Sequence, residues 1–219
     1  EVNHTEFGRT LLKNFLFEVA KCKADWKMED FVPTTIDKIK EQVGNAGVVC
    51  GVSGGVDSTV VAVLLNRAIG ARAHCIFVDN GLLRKNERAD VENLFISMRI
   101  PNFRVVDARA LFLKRLANVE DPEQKRKIIG ATFVDVFESA VKDLKDISFL
   151  AHGTLYPDVI ESTSALGGPS AKIKTHHNVG GLPERLRFGL VEPLRMLFKD
   201  EVRIIARQLG LPDKVINRQ

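Results

Sequence analysis

The sequence V-C-G-V-S-G-G-V-D-S fills residues 49–58 and indicates an apolar strand, a tight glycine turn and a helix that opens at Ser58-Thr59. Adjacent glycines let the backbone turn its N–H groups inward, and a helix N-terminus carries partial positive charge. Such a turn is suited to holding phosphate. It has neither the lysine nor the spacing of the G-x-x-x-x-G-K-[ST] loop, and it differs from G-x-G-x-x-G. An ordinary strand–helix turn is the alternative, which Ser, Asp and Ser in this frame disfavour.

Strands and helices alternate along the chain around this turn. Four short apolar runs predict strands, at 47–52, 72–78, 103–107 and 147–152. Helices are predicted between them, at 58–69, 86–99 and 121–144. This alternation is typical of an α/β fold, with a parallel sheet and helices on both faces. Ligands of such sheets bind at the carboxyl ends of the strands, where the glycine turn lies.

The residues before the first strand predict two further helices. Phe7, Leu11, Phe15 and Val19 recur at helical spacing within residues 6–21. Pro33 is expected to open a second helix that ends at Gly44. The chain starts without a methionine, and we expect it to be a piece of a longer protein.

Composition narrows the function classes. The 219 residues are 45% apolar, enough for a sizeable core, and the net charge of +4 suits an anionic substrate better than a nucleic acid. Cys22, Cys50 and Cys75 form no C-x-x-C pair, which argues against a zinc site or a disulfide framework. We expect Cys50 and Cys75 to be buried in strands. With no long apolar run or signal-peptide pattern, we expect a cytoplasmic protein without a membrane partner.

Two short segments that follow predicted strands contain polar side chains. The run F-V-D-N-G at 77–81 could offer backbone groups to an adenine edge, or it could be an ordinary Asn-Gly turn. Asp158 and Glu161 are three residues apart and would share one face of a helical turn. They could hold Mg²⁺ or position a reactive group, or they could simply face solvent.

A glycine-rich polar segment at 162–183 is expected to be a lid. Its basic centre contains Lys174, His176 and His177, which would neutralise phosphate charge unless the segment is only a solvated basic loop. Lys199 begins the last predicted helix, where a cation opposes the helix dipole, and this placement suggests an anionic ligand nearby.

Six motifs together resemble one family. S-G-G-x-D-S is the signature of ATP pyrophosphatases, and the chain resembles the ATP pyrophosphatase domain of glutamine-hydrolysing GMP synthetases over residues 45–215. The other motifs are F-V-D-N-G-L-L-R (77–84), D-P-E-Q-K-R-K-I-I-G (121–130), G-T-L-Y-P-D-V-I-E-S (153–162), K-T-H-H-N-V-G-G-L-P (174–183) and E-P-L-x-x-L-F-K-D-E-V-R (192–203). The resemblance implies an adenine nucleotide alpha hydrolase-like fold.

The first residues resemble the end of the family's amidotransferase domain. E-V-N-H-T at 1–5 is similar to the close of its H-P-E-V-x-H-T motif, so Glu1 would match the glutamate of a Cys-His-Glu triad. The implied domains are 1–24, the end of a class I glutamine amidotransferase domain, and 25–219, the ATP pyrophosphatase domain. The family's C-terminal dimerisation domain, through which the intact enzyme forms a homodimer, has no counterpart here.

The resemblance implies a two-step reaction. ATP adenylates xanthosine 5′-monophosphate (XMP) and releases pyrophosphate, and ammonia derived from glutamine then displaces AMP to give GMP. ATP would be bound by Ser53, Gly54, Gly55, Val56, Asp57, Ser58, Thr59, Val78, Phe133 and Gly153, and Asp57 would ligate Mg²⁺. Arg126 would contact XMP. The catalytic residues would be Asp57, Lys174, His176, His177 and Lys199, with Asp158, Glu161 and Asp200 ordering the lid.

Three alternative functions remain. A tRNA-thiolating enzyme that adenylates a base would need a catalytic cysteine outside the strands, for which Cys22 is the only candidate. NAD synthetase is a second enzyme rival, but the H-H-N segment at 176–178 does not belong to it. A nucleotide-binding regulatory module without chemistry is disfavoured by the presence of Asp57, Lys174 and Lys199.

Overall fold

A five-stranded parallel sheet forms the centre of the molecule, whose computed structural model describes residues 4–25, 27–162 and 188–218. The strands are β1 Gly47–Val52, β2 Ala73–Asp79, β3 Phe103–Asp107, β4 Ile147–Ala151 and β5 Gly189–Val191. They lie in the order β3-β2-β1-β4-β5, and all four neighbouring pairs are parallel. The predicted parallel sheet is confirmed.

Helices cover both faces of this sheet. The α-helices of the described residues are α1 Gly8–Asn14, α2 Phe31–Val43, α3 Val56–Ile69, α4 Glu87–Ser97, α5 Arg109–Leu116, α6 Pro122–Val141, α7 Tyr156–Ser162, α8 Lys199–Gln208 and α9 Asp213–Ile216. None of the helices in these segments is long and apolar enough to cross a membrane.

Alternate residues of β1 enter two different cores. Val48 and Cys50 belong to a cluster shared with α2, α3, α4 and α8, whereas Val49 belongs to a cluster shared with α5 and α6. Successive side chains of a strand point to opposite faces, so both faces of β1 are buried. The continuous apolar run that predicted this strand is therefore a consequence of helices on both sides.

Several predicted boundaries were wrong by a few residues. Helix α3 begins at Val56 and not at Ser58, because the turn is complete by Gly55. Helix α2 begins at Phe31, so Pro33 lies within the first turn, where its missing N–H costs no hydrogen bond. Helix α6 ends at Val141.

Helix α5 and strand β5 were not predicted. A further short helix, α9, follows the helix that was expected to be the last. Helix α5 buries only Phe112 completely, and β5 has three residues, so neither gives a clear periodic signal. Helix α8 starts at Lys199 as expected, but the short α9 follows it.

The N-terminal helix exposes its apolar face. Helix α1 continues as a π-helix over Phe15–Val19, and Phe7, Leu11 and Val19 are each more than two-thirds exposed. Among the described residues before Thr35, none is buried. The proposed division near residue 24 stays a prediction.

The cysteines lie as expected. Cys50 and Cys75 are buried free thiols that lie next to each other in the register of β1 and β2. Cys22 is exposed. Burial raises the pKa of the Cys75 thiol to about 12, and burial beside Cys75 also raises the pKa of Cys50. Both strand cysteines are consequently held as thiols and act as small apolar side chains.

Candidate phosphate-binding site

The glycine turn lies at the switch point of the sheet. From β1 the chain proceeds to β2 and β3 on one side, whereas β4 and β5 lie on the other side. The connections after β1 and β4 therefore diverge and leave a crevice at their carboxyl ends. The loop between β1 and α3 opens into this crevice, as the sequence predicted.

Hydroxyl groups hold the loop in shape. Gly54 has φ +75°, a left-handed conformation that favours glycine. The Gly55 N–H donates to Ser53 Oγ at 3.3 Å, and Ser53 Oγ lies 3.2 Å from Ser58 Oγ. The fully buried Thr59 donates its hydroxyl to the Gly55 carbonyl at 2.8 Å. These bonds fix the loop as one turn against the start of α3.

Gly153 brings the end of β4 against this turn. A Cβ atom at Gly153 would lie 3.3 Å from Asp57 Cβ and 3.5 Å from the Ser58 nitrogen. The close approach lets the backbone after β4 form the opposite wall of the crevice. The structure thus brings together the predicted loop residues and Gly153.

Asp57 and Lys199 meet across the crevice. Lys199 Nζ lies 2.5 Å from Asp57 Oδ2, and this contact joins the first turns of α3 and α8. It explains why a lysine is tolerated at the start of α8, because the carboxylate offsets the unfavourable helix dipole. The anion beside Lys199 in the structure is thus the Asp57 side chain, and the expected anionic ligand stays a prediction.

The other oxygen of Asp57 is suited to a metal ion. Asp57 Oδ1 is buried and has no hydrogen-bond partner in the protein, which is costly for a carboxylate oxygen. Mg²⁺ is commonly held by one or two carboxylates together with phosphate oxygens. Within the described segments there is no cluster of three or more His, Cys, Asp or Glu side chains that could hold a metal without a ligand's help. Asp57 therefore fits Mg²⁺ that arrives with a phosphate.

A cavity of about 260 Å³ adjoins the loop. Its lining includes three cations, one carboxylate and three loop residues, namely Lys199, Arg84, Arg218, Glu87, Ser53, Gly55 and Val56. Because three cations outnumber the one carboxylate in this lining, the cavity carries net positive charge and is suited to a polyphosphate.

Arg84, Glu87 and Arg218 were not among the predicted site residues. Arg84 is the last residue of the F-V-D-N-G-L-L-R motif, so the motif is a sequence signal from which Arg84 could have been predicted. No sequence signal distinguishes Arg218 from other surface arginines, since it is 164 residues from its loop contact, the Gly54 carbonyl.

Val78 and Phe133 lie on the other side of β1. Both belong to the core cluster shared with α6, and Phe133 stacks on Phe137 with ring centroids 6.1 Å apart. The Phe133 ring edge lies 4.0 Å from where a Cβ of Gly51 would be. Their part in holding adenine stays a prediction.

Other predicted site residues lie outside this cavity's lining. Arg126 is exposed on α6 and pairs with Glu123 at 2.8 Å. Asp158 accepts the Leu155 N–H at 3.0 Å, and Asp200 is exposed in the first turn of α8. Glu161 is exposed near the end of α7.

Some predictions concern residues that the structure does not describe. These are Glu1, the catalytic candidates Lys174, His176 and His177, and residues 163–183 of the expected lid. Their roles stay predictions.

An ion-pair network stiffens the ends of β2 and β3. The buried Asp79 lies 3.3 Å from Arg88, and Arg109 makes a bidentate pair with Asp107, the shorter contact being 2.5 Å. The hydrogen bonds from Arg109 lower the pKa of Asp107 to about 2. The network braces the strand end beside Val78.

We expect this network to weaken in acid. The folded pKa of Asp107 lies below the ordinary value of 3.8, so its contribution is full above about pH 4 and is lost as the pH falls towards 2. Asp107→Asn should flatten the acid-side fall of the free energy of unfolding. Urea unfolding between about pH 5 and pH 2 measures it, with Asp25→Asn, an exposed carboxylate outside the network, as the control. Equal acid sensitivity of wild type and Asp107→Asn would contradict the assignment.

Comparison with known proteins gives a consistent result. The NAD synthase family model matches residues 27–121. The chain is 59% identical over 219 residues to a GMP synthase [glutamine-hydrolyzing] of Maridesulfovibrio salexigens, and 59% identical over 218 residues to one of Nitratidesulfovibrio vulgaris. All of this chain is covered in both cases, together with 42% of each relative.

Solved structures show the same fold at low identity. An NH3-dependent NAD synthetase from Campylobacter jejuni superposes with a TM-score of 0.65 at 18% identity, over 88% of this chain and 78% of that chain. The predicted α/β fold is confirmed, and a nucleotide alpha hydrolase-like architecture is consistent with it. The motif-based resemblance is confirmed as well: from end to end, the chain is similar to glutamine-hydrolysing GMP synthases and spans 42% of their length.

Proposed function

We propose that this chain is the ATP-binding and XMP-activating part of a glutamine-hydrolysing GMP synthase. The observation that carries the proposal is the cationic cavity at the S-G-G-V-D-S loop, in a chain 59% identical to such synthases. The xanthine O2 of XMP would attack the α-phosphate of ATP and release pyrophosphate. Ammonia derived from glutamine would then attack the adenylated carbon and release AMP, leaving GMP.

The loop and its cations would bind the two departing phosphates. The N–H groups of the loop and the Ser53 and Ser58 hydroxyls would donate hydrogen bonds to these phosphates, and Lys199 and Arg84, which line the cavity, would add positive charge. Charge that develops on the leaving pyrophosphate is stabilised by such pre-arranged donors. Asp57 would hold Mg²⁺ through its unpartnered Oδ1, and the bound ion would neutralise further phosphate charge.

The remaining roles follow the family resemblance. Val78 and Phe133 would hold adenine, and Arg126 would contact XMP. Lys174, His176 and His177 would close over the phosphates, with Asp158, Glu161 and Asp200 ordering them. We further propose that the complete protein works as a cytoplasmic homodimer, without nucleic-acid or membrane partners.

A tRNA-thiolating function is less well supported. That chemistry needs an accessible thiol, whereas Cys50 and Cys75 are buried with raised pKa values. Cys22 is exposed, but it lies beside the N-terminal helix and does not line the phosphate cavity.

One assay tests the proposal against its rivals. Pyrophosphate release from ATP is measured in a protein of the relatives' full length that contains this chain, with XMP, tRNA or deamido-NAD as the acceptor. We expect release with XMP only. Release that depends on tRNA or deamido-NAD would replace the proposal with the corresponding rival.

The isolated 219-residue chain should bind Mg-ATP but bind XMP weakly or not at all. The phosphate loop, Val78 and Phe133 are all present, whereas Arg126 is exposed and already paired with Glu123. A single exposed charge contributes about 1 kcal/mol or less to binding. Calorimetric titration with each nucleotide measures both affinities. Micromolar XMP binding, or no binding of Mg-ATP, would contradict this expectation.

A further inference from the structure

The segment after α9 reaches back to the phosphate loop. Arg218 donates from Nη1 to the Gly54 carbonyl at 2.9 Å, and its Nη2 pairs with a carboxylate oxygen of Glu87 in the first turn of α4. The two side chains are 22% and 14% exposed. Because water has little access, these contacts hold their partners more firmly than a surface ion pair does.

The contact with the Gly54 carbonyl orients the next N–H group. Gly54 O and Gly55 N–H belong to one planar trans peptide and point in opposite directions. Glycine itself does little to fix how that peptide is turned. With the carbonyl held by Arg218, the Gly55 N–H donates to Ser53 Oγ, and both of these residues line the cavity.

Glu87 keeps Arg218 in place. One oxygen of its carboxylate contacts Arg218, and the other accepts the Arg84 backbone N–H at 2.7 Å. Glu87 thereby joins the loop that precedes α4 to the C-terminal segment. The negative charge of Glu87 also offsets the positive charge of Arg218. Electrostatic attraction of a phosphate is therefore not the main effect that we expect from Arg218.

We propose that Arg218 is a positioning residue, which turns the Gly54–Gly55 peptide so that its N–H can bind a phosphate oxygen, and that Glu87 holds Arg218 for this task. The phosphate-binding part of the inference rests on the proposed function. The peptide orientation itself does not, and it can be tested separately.

Arg218→Met removes the hydrogen bond to Gly54, and Lys214→Met is its matched control. Lys214 of α9 pairs with Asp90 of α4 at 2.8 Å, so it also joins the C-terminal part of the chain to α4, and no hydrogen bond links it to the loop. In Arg218→Met we expect the Gly55 amide resonance to shift and the affinity for Mg-ATP and for Mg-pyrophosphate to fall about ten- to a hundredfold, the range for losing a hydrogen bond to a charged group. Lys214→Met should leave both unchanged.

Arg218→Lys separates positioning from charge. It keeps the positive charge but loses the planar fork that contacts a carbonyl and a carboxylate together. We expect a shifted Gly55 resonance and an intermediate affinity. Wild-type affinity in Arg218→Lys would show that charge alone acts, and would overturn the inference.

The outcomes also distinguish this inference from the proposed function. If Arg218→Met leaves the Gly55 resonance in place, or Lys214→Met shifts it equally, Arg218 does not position the peptide. If the wild-type chain binds neither Mg-ATP nor Mg-pyrophosphate, the proposed nucleotide site is wrong, while the Gly55 resonance still decides whether Arg218 orients the loop.

Discussion

Asp57→Asn should reduce pyrophosphate release by roughly a thousandfold or more, the upper range for losing one electrostatic group of a transition-state site. The substitution removes the charge that faces both Lys199 and the unpartnered position at Oδ1. An amide oxygen is a poor ligand for Mg²⁺, and the amide nitrogen would repel it. Release is measured with ATP, XMP and varied Mg²⁺ in a protein of the relatives' full length that contains this chain.

The control for this substitution is Asp90→Asn. Asp90 also pairs with a lysine, Lys214, but it is not part of the glycine turn and does not pair with the cavity residue Lys199. Because the Asp57 side chain is 29% exposed, we expect both variants to fold with similar thermal midpoints. Near wild-type release by Asp57→Asn, with an unchanged Mg²⁺ requirement, would refute the metal assignment.

Gly54→Ala should have the largest effect on the loop itself. A Cβ there would lie 2.4 Å from Val91 Cγ2 and 2.9 Å from Arg218 Nη1, and φ is +75°. The left-handed conformation costs an alanine about 1–2 kcal/mol, and overpacking against a buried residue adds about 1–3 kcal/mol. We expect a loss of about 2–5 kcal/mol in the free energy of unfolding and no measurable Mg-ATP binding. Urea unfolding and calorimetry measure these effects.

Gly70→Ala isolates the conformational part of that loss. Gly70 also has a positive φ, of +57°, but no atom lies within 4 Å of the Cβ that would be added. Gly70 has ψ −126°, a sparsely populated combination for an alanine, so the substitution should cost about 1–3 kcal/mol and leave Mg-ATP binding unchanged. Equal losses in the two variants would show that contact with Val91 and Arg218 contributes nothing to the fixed shape of the loop.

The strands were predictable because a strand buried on both faces appears in the sequence as a run of consecutive apolar residues. Gly47–Val52 has the predicted bounds, the observed 73–79 is shifted by one residue at both ends, and the observed 147–151 ends one residue early. Each of these runs is mostly apolar, since helices cover both faces of the sheet. Helix α5 was missed because it buries a single phenylalanine completely, and β5 because three residues show no period.

The site was predictable to the extent that its chemistry is local. Ser53, Gly54, Gly55 and Ser58 lie within six residues, and their turn follows from glycine conformations and short-range hydrogen bonds. The same local information placed the turn at a strand end, where parallel sheets bind ligands.

The sequence by itself determined the α/β fold, the position of the glycine turn after β1 and the motifs by which the chain resembles GMP synthetases. Only the tertiary structure decided that Lys199 meets Asp57 and that Arg84 and Arg218 complete the cavity. Lys199 lies 142 residues from Asp57, and Arg218 lies 164 residues from Gly54. The identity of a lysine or arginine does not reveal whether its side chain faces water or the glycine turn. Its role is set by the packing of α8 and α9 against α3 and α4, which no stretch of local sequence encodes.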